Sequence, residues 1–532
     1  MRYVISQGEE TTIAAALDAR AEMTPDARFV SFVDEHVSYG AFVGRAERAA
    51  AALAALGAGR GSKVAVLLPN CLEFLDVWFG SALLGAALVP VNTGLKGDGL
   101  RYVLEHSEAD VLVADAPLTT EVDAALAAGD GPRHRLVRGT ADGAWQEWEQ
   151  VYRSEHPAAR RAVLSPGDLA SVLYTSGTTG PPKGVMNCHN AFAVAGYEFT
   201  HNYVEARDDD VLYTSLPLFH VNAQMLTTMG SIISGRPMVL APRFSASRFF
   251  DDLRAHDATV FNYIGAMLTM IFKQPVRPDD ADNPVRLTVG GAAPANLWPE
   301  FEKRFGLEIQ EIYGLTETAT FCVGSRPGAA QVGKLGTPVS WADVAVRSRD
   351  GDRAADGEPG EIVVRSRRPN TLFQGYYKNP EATAAAMDGE WFRTGDRGRR
   401  EPDGTFVFLD RIKDVIRRRG ENISSYDVER IVDSHPAVAE SAAVGVPSDL
   451  GEEDVLIVVV PRPGARLDPG ELVDYCEQRM AKFMVPSYVR LADALPKTAT
   501  QRVQKFALRK EGAAGAWCRE RPVAANRGAW PR

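Results

Sequence analysis

The chain has 532 residues, 45% of them hydrophobic and 24% charged, which is typical of a globular protein with more than one domain. Its 69 acidic residues outnumber the 59 Lys and Arg, and the net charge of −10 argues against nucleic acid as a partner. The five cysteines include no Cys-x-x-Cys pair, which indicates neither a disulfide framework nor a zinc site and fits a reducing cytoplasm.

The first third of the chain alternates helical and strand patterns. Ser38 is placed to cap an Ala-rich helix that runs to Leu56, and Asn70 is placed to cap the following helix. Such alternation predicts parallel sheets covered by helices. Strands are predicted at residues 63–68, 111–114 and 238–241.

Neither the start of the chain nor its two longest uncharged stretches predicts a secretory or membrane segment. The start carries early acidic residues and lacks a basic segment followed by an apolar one. Residues 77–95 are interrupted by Gly85 and Pro90, and residues 211–235 contain Pro217 and several polar side chains. Neither offers the roughly 20 apolar residues that a spanning helix needs. We therefore expect no transmembrane segment and a cytoplasmic location.

The pattern of predicted elements changes after Pro338. Short strands alternate there with Gly, Asp and Pro turns, which predicts a β-rich subdomain. From about Lys413 the pattern mixes short helices and strands. We therefore predict an α/β fold with an N-terminal domain of helix-covered sheets (1–412), a small mobile α+β C-terminal domain (413–510) and a flexible tail (511–532).

A strand pattern at residues 169–174 runs directly into a loop rich in Gly and Thr. Glycines let backbone amides approach an anion, hydroxyls add donors and a lysine adds charge, so the loop predicts a cradle for polyphosphate. Taken alone, such a loop is as often a polar surface loop. It is not a kinase-type P-loop, because Lys183 is followed by Gly184 and no helix-opening Ser or Thr is present.

Four further motifs follow in order. They are Tyr313-Gly314-Leu315-Thr316-Glu317, Trp391-Phe392-Arg393-Thr394-Gly395-Asp396, Asp410-Arg411-Ile412-Lys413-Asp414 and Arg419-Gly420-Glu421-Asn422-Ile423. From about Thr12 to Lys510, this ordered set resembles the adenylate-forming superfamily of acyl-CoA synthetases, peptide-synthetase adenylation domains and luciferases. Within it, the chain is most similar to crotonobetaine/carnitine-CoA ligase-like members.

The resemblance implies an ATP site. Lys183 would bind the β- and γ-phosphates, Thr316 the α-phosphate and Glu317 Mg²⁺, while Asp396, assisted by Arg411, would accept from the ribose hydroxyls. In isolation Asp396 would be interpreted as a turn aspartate. The other residues implied to hold ATP or AMP are Thr175, Ser176, Gly177, Thr178, Thr179, Gly291, Ala292, Ala293, Glu311, Tyr313 and Gly314.

The resemblance also implies an acyl pocket and a thiol tunnel. A lone histidine is more often structural than catalytic, so we expect His220 to line the pocket. Lys413 matches the hinge about which the small domain turns, and Arg419 and Gly420 would then border the coenzyme A tunnel. The predicted pocket residues are His220, Asn222, Gln224, Tyr263 and Gly265.

One position departs from the family pattern. The family ends in Pro-Lys-Thr-x-x-Gly-Lys, whose lysine reaches the α-phosphate and the attacking carboxylate. Here Gln501 and Arg502 replace the glycine and the lysine, and an arginine presents a planar fork in place of a compact ammonium. Lys505 cannot be assumed to substitute. The implied catalytic residues are Arg502, Thr316, Glu317 and Lys183.

These features together predict ATP-dependent, AMP-forming activation of a small carboxylic acid, followed by transfer to coenzyme A. The expected cofactors are ATP, Mg²⁺ and coenzyme A. Three alternatives stay open: transfer to a carrier-protein thiol, activation of nitrite, and a non-catalytic nucleotide-binding relative. A homodimer is also left open.

Overall fold

The chain divides into two compact units in the computed structural model. The first comprises residues 1–358, 362–394 and 400–407, and the second residues 359–361, 395–399 and 408–532. The structure describes residues 3–127, 129, 131–140, 143–175, 182–348, 350–414, 416–418, 421–448, 453–497 and 503–519, without the side chains of Lys413, Glu421 and Asn422.

Two large sheets form the core of the first unit. Their strands are β1 (Arg28–Phe32), β2 (Glu35–Ser38), β3 (Lys63–Leu67), β4 (Ala87–Pro90), β5 (Val111–Asp115), β6 (His134–Arg138), β7 (Gln146–Glu147), β8 (Leu169–Thr175), β9 (Lys183–Cys188), β10 (Leu212–Thr214), β11 (Met238–Leu240), β12 (Val260–Ile264), β13 (Leu287–Gly291), β14 (Glu308–Tyr313), β15 (Val323–Gly324) and β16 (Thr337–Pro338).

Both sheets are mainly parallel in the described part of the chain. One has the order β16-β15-β14-β13-β12-β10-β11-β1-β2 and the other β7-β6-β5-β3-β4-β8-β9. Antiparallel pairs occur at their edges, such as β1 with β2 and β8 with β9. The predicted strands at 63–68, 111–114, 169–174 and 238–241 are confirmed to within a residue at each end.

Helices alternate with the strands along the chain, as the pattern of its first third predicted, and those from Ser425 onward belong to the second unit. The helices are α1 (Ile13–Met23), α2 (Tyr39–Ala55), α3 (Leu72–Leu84), α4 (Gly97–His106), α5 (Thr119–Ala125), α6 (Trp148–Arg153), α7 (His189–Tyr197), α8 (Met229–Ser234), α9 (Phe249–Ala255), α10 (Gly265–Phe272), α11 (Trp298–Phe305), α12 (Pro380–Ala386), α13 (Ser425–Asp433), α14 (Pro469–Glu477) and α15 (Lys505–Glu511). Among the described residues, no helix has the length and apolar character to cross a membrane.

One predicted helix cap is confirmed and the other is wrong. The side chain of Ser38 accepts from the backbone N of Ala41 at 3.2 Å and so caps α2. Cys71, not Asn70, precedes α3, and it makes no side-chain cap. Asn70 instead donates from Nδ2 to the carbonyls of Leu216 and Ala241, because three buried backbone groups of a distant segment lie within its reach.

Smaller sheets follow in the rest of the chain. Their strands are β17 (Ala342–Arg347), β18 (Gly360–Ser366), β19 (Met387–Asp388), β20 (Trp391–Arg400), β21 (Phe406–Arg411), β22 (Ile416–Arg418), β23 (Glu421–Ile423), β24 (Val438–Pro447), β25 (Glu453–Pro461), β26 (Tyr488–Leu491) and β27 (Trp517–Cys518). Strands β17 to β21 form the predicted β-rich sheet, β22 pairs with β23, and β24-β25-β26-β27 form a third sheet.

The prediction of a flexible tail from residue 511 is wrong for residues 511–519. Glu511 is the last residue of α15, and Trp517 and Cys518 pair antiparallel with Val489 and Tyr488. Backbone pairing to a strand far back in the sequence orders this segment, although its composition carries no periodicity. Residues 520–532 lie outside the described residues.

Candidate active site

The carboxyl ends of β12, β13 and β14 lie side by side in the nine-stranded sheet. Ile264 pairs in register with Gly291, and Gly290 with Glu311. Parallel sheets bind ligands beyond the carboxyl ends of their strands. The implied adenine residues are found here, since Gly291 ends β13, Ala292 and Ala293 follow it, and Tyr313 ends β14.

Glu311 holds the turn that follows β13. Its Oε1 accepts from the backbone N of Ala292 at 2.5 Å, and its Oε2 accepts from the backbone N of Ala293 at 3.1 Å. The hydroxyl of Tyr263 also donates to Oε2, at 2.9 Å. Glu311 therefore supports the loop from beneath, and Tyr263, predicted to line the acyl pocket, is fully buried under the same loop.

Two glycines make this arrangement possible. Tyr263, Gly290 and Glu311 are aligned across three strands and share one face of the sheet. A Cβ at Gly290 would lie 2.7 Å from Cγ of Tyr263, and a Cβ at Gly265 would lie 1.7 Å from the carbonyl oxygen of Ala292. Because neither position has a side chain, the tyrosine crosses β13 and the loop packs onto the start of α10.

The loop also contains a backbone conformation that an alanine disfavours. Ala292 has a φ of 63°, in the left-handed region, which costs an L-residue about 1–2 kcal/mol. The Glu311 carboxylate offsets that cost with two backbone hydrogen bonds. Burial raises the pKa of Glu311 to about 7, and the donors from Ala293, Tyr263 and Ala292 offset only part of that effect.

Glu317 and Lys183 meet at one aromatic ring. The hydroxyl of Tyr376 donates to Oε1 of Glu317 at 2.8 Å, and Nζ of Lys183 lies 4.5 Å from the centroid of the same ring. Tyr376 reaches this position because the backbone N of Tyr377 bonds to the carbonyl of Gly184, beside the start of β9. The structure thus places the implied phosphate lysine near the implied magnesium carboxylate.

Sequence reasoning missed Tyr376. The available signal was the Gly375-Tyr376-Tyr377 segment, an aromatic pair directly after a glycine. In the structure this glycine has a φ of 123°, a conformation that side chains rarely adopt. Within the implied phosphate loop, Thr175 pairs with Lys183 at the mouth of the β8–β9 hairpin. The loop residues Ser176, Gly177, Thr178 and Thr179 lie outside the described residues.

Glu317 lies in a short turn after β14. It lies with Thr316 in a 3₁₀ helix, Thr316–Thr318, and its carboxylate is buried. The preceding Gly314 approaches Phe321 closely, since a Cβ there would lie 2.3 Å from Cα of Phe321. Among the described residues, no group of three or more His, Cys, Asp or Glu could hold a metal ion. One carboxylate suits Mg²⁺ bound mainly through substrate phosphates, so Glu317 fits the implied cation.

The segment that carries His220 is clamped from two sides. The backbone N of Leu218 donates to Oδ1 of Asn70 at 2.8 Å, and the Leu218 carbonyl accepts from Nε2 of Gln224 at 2.5 Å. His220 is half-buried and its ring contacts Phe219. Gln224, predicted to line the acyl pocket, is fully buried and lies behind this segment.

Asn222 opens a π-helix, Asn222–Thr228, two residues after His220. This helix geometry is rare and is frequent at functional sites. Asn222 is half-buried, and its Oδ1 accepts from Nδ2 of the buried Asn262 at 2.8 Å. Asn262 was not predicted, because nothing in the sequence distinguishes it from other polar residues in strands.

In the second unit, Nε of Arg411 lies 2.8 Å from Oδ1 of the buried Asp396. The structure therefore brings the two implied ribose residues together. The hinge residue Lys413 lies in a 3₁₀ helix, Ile412–Asp414, and Asp414 pairs with Arg509 at 2.9 Å. Arg419, Gly420 and Arg502 lie outside the described residues.

Lys505 is engaged elsewhere in the second unit. Its Nζ lies 2.9 Å from Oε1 of Glu429 and also bonds to the hydroxyl of Ser425. The lysine side chain is only 15% exposed. Lys505 is thus already paired within the second unit, and its substitution for the family lysine is not assumed.

Comparison with known proteins identifies the relatives of this chain. Residues 17–377 match the AMP-binding enzyme family and residues 427–502 match the AMP-binding enzyme C-terminal domain. Crotonobetaine/carnitine–CoA ligase of Salmonella paratyphi B is 32% identical over 491 residues, which cover 88% of this chain and 92% of that protein.

Solved structures of related enzymes superpose on this chain over nearly its full length. The o-succinylbenzoate CoA synthetase of Bacillus subtilis, in complex with an acyl-adenylate intermediate, superposes with a TM-score of 0.84 at 26% identity and covers 94% of this chain and 98% of its own. ATP-bound MatB of Rhodopseudomonas palustris has a TM-score of 0.85 at 26% identity, covering 94% and 99%. The predicted fold class and the resemblance are confirmed.

Proposed function

Because this chain belongs to the AMP-binding enzyme family, we propose that it activates a small carboxylic acid with ATP to an acyl-adenylate and then transfers the acyl group to coenzyme A. The observation that carries the proposal is the meeting of Lys183 and Glu317 at the Tyr376 ring. A cation and a buried carboxylate beside the mouth of a Gly- and Thr-rich loop suit a substrate that brings phosphates and Mg²⁺.

In the first half-reaction, a carboxylate oxygen attacks the α-phosphorus of ATP, and the bond from that phosphorus to the bridging oxygen breaks. Pyrophosphate leaves with the bond electrons, so charge develops on the leaving phosphates. Lys183 would stabilise that charge, and Thr316 would donate to the α-phosphate. Mg²⁺, which Glu317 would hold, supplies further positive charge at the phosphates when bound.

Adenine would lie against the Gly291–Ala293 turn and the ring of Tyr313. Small residues allow a flat base to approach the backbone, and an aromatic ring can stack on it. Glu311 and Tyr263 keep that turn in place from below. Asp396 and Arg411 would bind the ribose hydroxyls.

In the second half-reaction, the thiolate of coenzyme A attacks the acyl carbonyl carbon and AMP leaves as the carbonyl re-forms. No protein nucleophile is required. By resemblance, Lys413 would be the hinge for a turn of the C-terminal domain (413–510), and Arg419 and Gly420 would border the thiol tunnel. Arg502 would contact the carboxylate and α-phosphate in the first half-reaction only.

Pyrophosphate release from ATP, measured across a panel of short carboxylic acids, tests the proposal. We expect AMP and pyrophosphate in equal amounts with at least one acid, and a thioester when free coenzyme A is added. Reactions without acid are the control. Formation of ADP, or thioester only with a carrier protein, would contradict the proposal as stated.

A further inference from the structure

A relay of three polar side chains runs from the buried Thr227 through Asn262 to the half-buried Asn222. The Oγ1 of Thr227 donates to Oδ1 of Asn262 at 3.1 Å, and Nδ2 of Asn262 donates to Oδ1 of Asn222 at 2.8 Å. Thr227 is 0% exposed and Asn262 is 1% exposed, whereas Asn222 is half-buried. The relay therefore begins in the core and ends at a surface that a ligand can reach.

The direction of these bonds decides what Asn222 presents. Because the Asn262 carbonyl oxygen is occupied by the threonine hydroxyl, its NH₂ group points to Asn222 and occupies the oxygen of that residue. A carboxamide has its NH₂ group opposite its oxygen, so the open end of the relay is a donor. Within the described part of the chain, Nδ2 of Asn222 donates no hydrogen bond to protein.

The position of the relay relates it to the acyl group. Asn262 lies two residues before the end of β12, and the last residue of β12, Ile264, is in register with Gly291, where the implied adenine turn begins. Two residues of a strand span about 7 Å. Asn222 lies two residues after the half-buried His220, in the segment that follows β10, and β10 pairs parallel with β12.

We propose that Asn222 is a specificity-determining residue that donates a hydrogen bond to an acceptor oxygen within the acyl chain of the substrate. The inference rests on the proposed function. The preferred substrates are then short acids that carry an ether, hydroxyl or carbonyl oxygen beyond the carboxylate. Plain alkanoates of the same length bind less well, because they leave a desolvated amide donor without a partner.

Isosteric acid pairs test this proposal. Methoxyacetate and butanoate have equal numbers of heavy atoms, as do 3-methoxypropanoate and pentanoate, and 4-methoxybutanoate and hexanoate. Each pair compares an ether oxygen with a methylene, and the series moves that oxygen along the chain. We expect the ether acid of at least one pair to have a kcat/KM for pyrophosphate release about tenfold above its alkanoate, the scale of one neutral hydrogen bond.

Asn222→Asp is the decisive variant. An aspartate still accepts from Nδ2 of Asn262, so the buried relay is kept, but it presents an oxygen in place of the NH₂ group. We expect the tenfold preference to fall to about one or to reverse, with the alkanoate rate changed less. Asn92→Asp is the control, since the Oδ1 of Asn92 accepts from the backbone N of Gly94 at 2.9 Å, a role that an aspartate keeps, and Asn92 is not in the relay; it should keep the wild-type ratio.

The outcomes distinguish a failure of the proposed function from a failure of the inference about Asn222. If no acid in any pair releases pyrophosphate, the proposed function fails. If acids are activated but every alkanoate equals or exceeds its ether, the inference about Asn222 is wrong while the function stands. The same conclusion follows if Asn222→Asp keeps the wild-type ratio, and Asn222→Leu, which removes both polar groups, guards against adaptation of the aspartate.

Discussion

Glu311 is a buried acid, and protonation changes which hydrogen bonds its carboxyl group can accept. As a carboxylate it accepts from Ala292, Ala293 and Tyr263. When protonated, one of its oxygens becomes a donor and faces groups that are donors themselves. Burial raises the pKa of Glu311 to about 7, so this change falls in the neutral range. We therefore expect the KM for ATP to rise as the pH falls below 7, and Glu311→Gln to lack that rise.

Stability should show the opposite trend for the same group. The folded pKa of Glu311 lies above the unfolded value of 4.5, so its contribution to stability is full below 4.5 and is lost as the pH rises through 7. From pH 5 to pH 8, the free energy of unfolding of wild type should fall by about 2–3 kcal/mol relative to Glu311→Gln. Denaturant unfolding at both pH values measures this. The exposed Glu300→Gln is the control, and parallel curves for wild type and Glu311→Gln would refute the prediction.

Tyr376 offers a second test at single-residue scale. Tyr376→Phe removes the hydroxyl that donates to Glu317 but keeps the ring beside Lys183. Loss of a hydrogen bond to a buried charged group costs about 1.5–3 kcal/mol, so we expect adenylation to slow by about ten- to a hundredfold. Pyrophosphate release at saturating ATP measures it. In the neighbouring control, Tyr377→Phe, the lost partner is Glu108 on the surface, and equal losses in both variants would contradict a specific role for Tyr376.

Packing between elements depends on Gly265, the first residue of α10. An added Cβ would lie 1.7 Å from the carbonyl oxygen of Ala292, so Gly265→Ala must displace the turn after β13. We expect the Kd for ATP to rise by about tenfold or more, because the turn loses its fixed geometry. Gly44→Ala in α2 is the matched control, since no atom lies within 4 Å of its added Cβ. That change should slightly stabilise the protein, and unchanged ATP binding by Gly265→Ala would exclude the packing argument.

Elements with local signals were predictable from the sequence. Ser38 caps an amide only three residues further along the chain, and residues 64–68 of the predicted strand at 63–68 are a continuous apolar run. Asn70 carries the same local signal but bonds to residues 146 and 171 positions away. Long-range partners of this kind override a weak capping preference, and no local pattern reveals them.

For the site, the sequence motifs named individual residues but not the distant residues that they contact. Motif resemblance named Glu317 and Lys183, but their shared contact, Tyr376, lies 59 residues beyond Glu317 in the chain. Asn262 was missed for the same reason, since its partner Asn222 lies 40 residues away. Tyr263 was predicted to line the acyl pocket, and only the strand register reveals that it also shares a face of the sheet with Glu311.

At the scale of the whole molecule, the reaction is divided into two half-reactions that can be measured separately. The first is followed by pyrophosphate release, and the second by thioester formation from a preformed acyl-adenylate. A residue that acts in one half-reaction alone should alter one measurement and not the other. A residue that only stabilises the fold should lower both along with the melting temperature.

We expect Arg502 to act in one half-reaction alone and Lys505 to stabilise the fold. If the Arg502 guanidinium binds the carboxylate and α-phosphate oxygens together, Arg502→Ala should slow adenylation by about ten- to a thousandfold and leave the thioester step nearly unchanged. Lys505→Ala instead leaves Glu429 buried without its cation, which should cost about 3–5 kcal/mol of stability. Its two half-reactions should fall together.

Arg502→Lys then decides how the arginine is used. A planar fork and a compact ammonium place their donors differently. If the site tolerates arginine as a substitute for the family lysine, Arg502→Lys should keep or raise the adenylation rate. If the surrounding residues have adapted to the guanidinium, the rate should fall. An unchanged adenylation rate in Arg502→Ala would mean that another cation neutralises the developing charge, and since Lys505 is paired with Glu429, Lys183 would be the next residue to test.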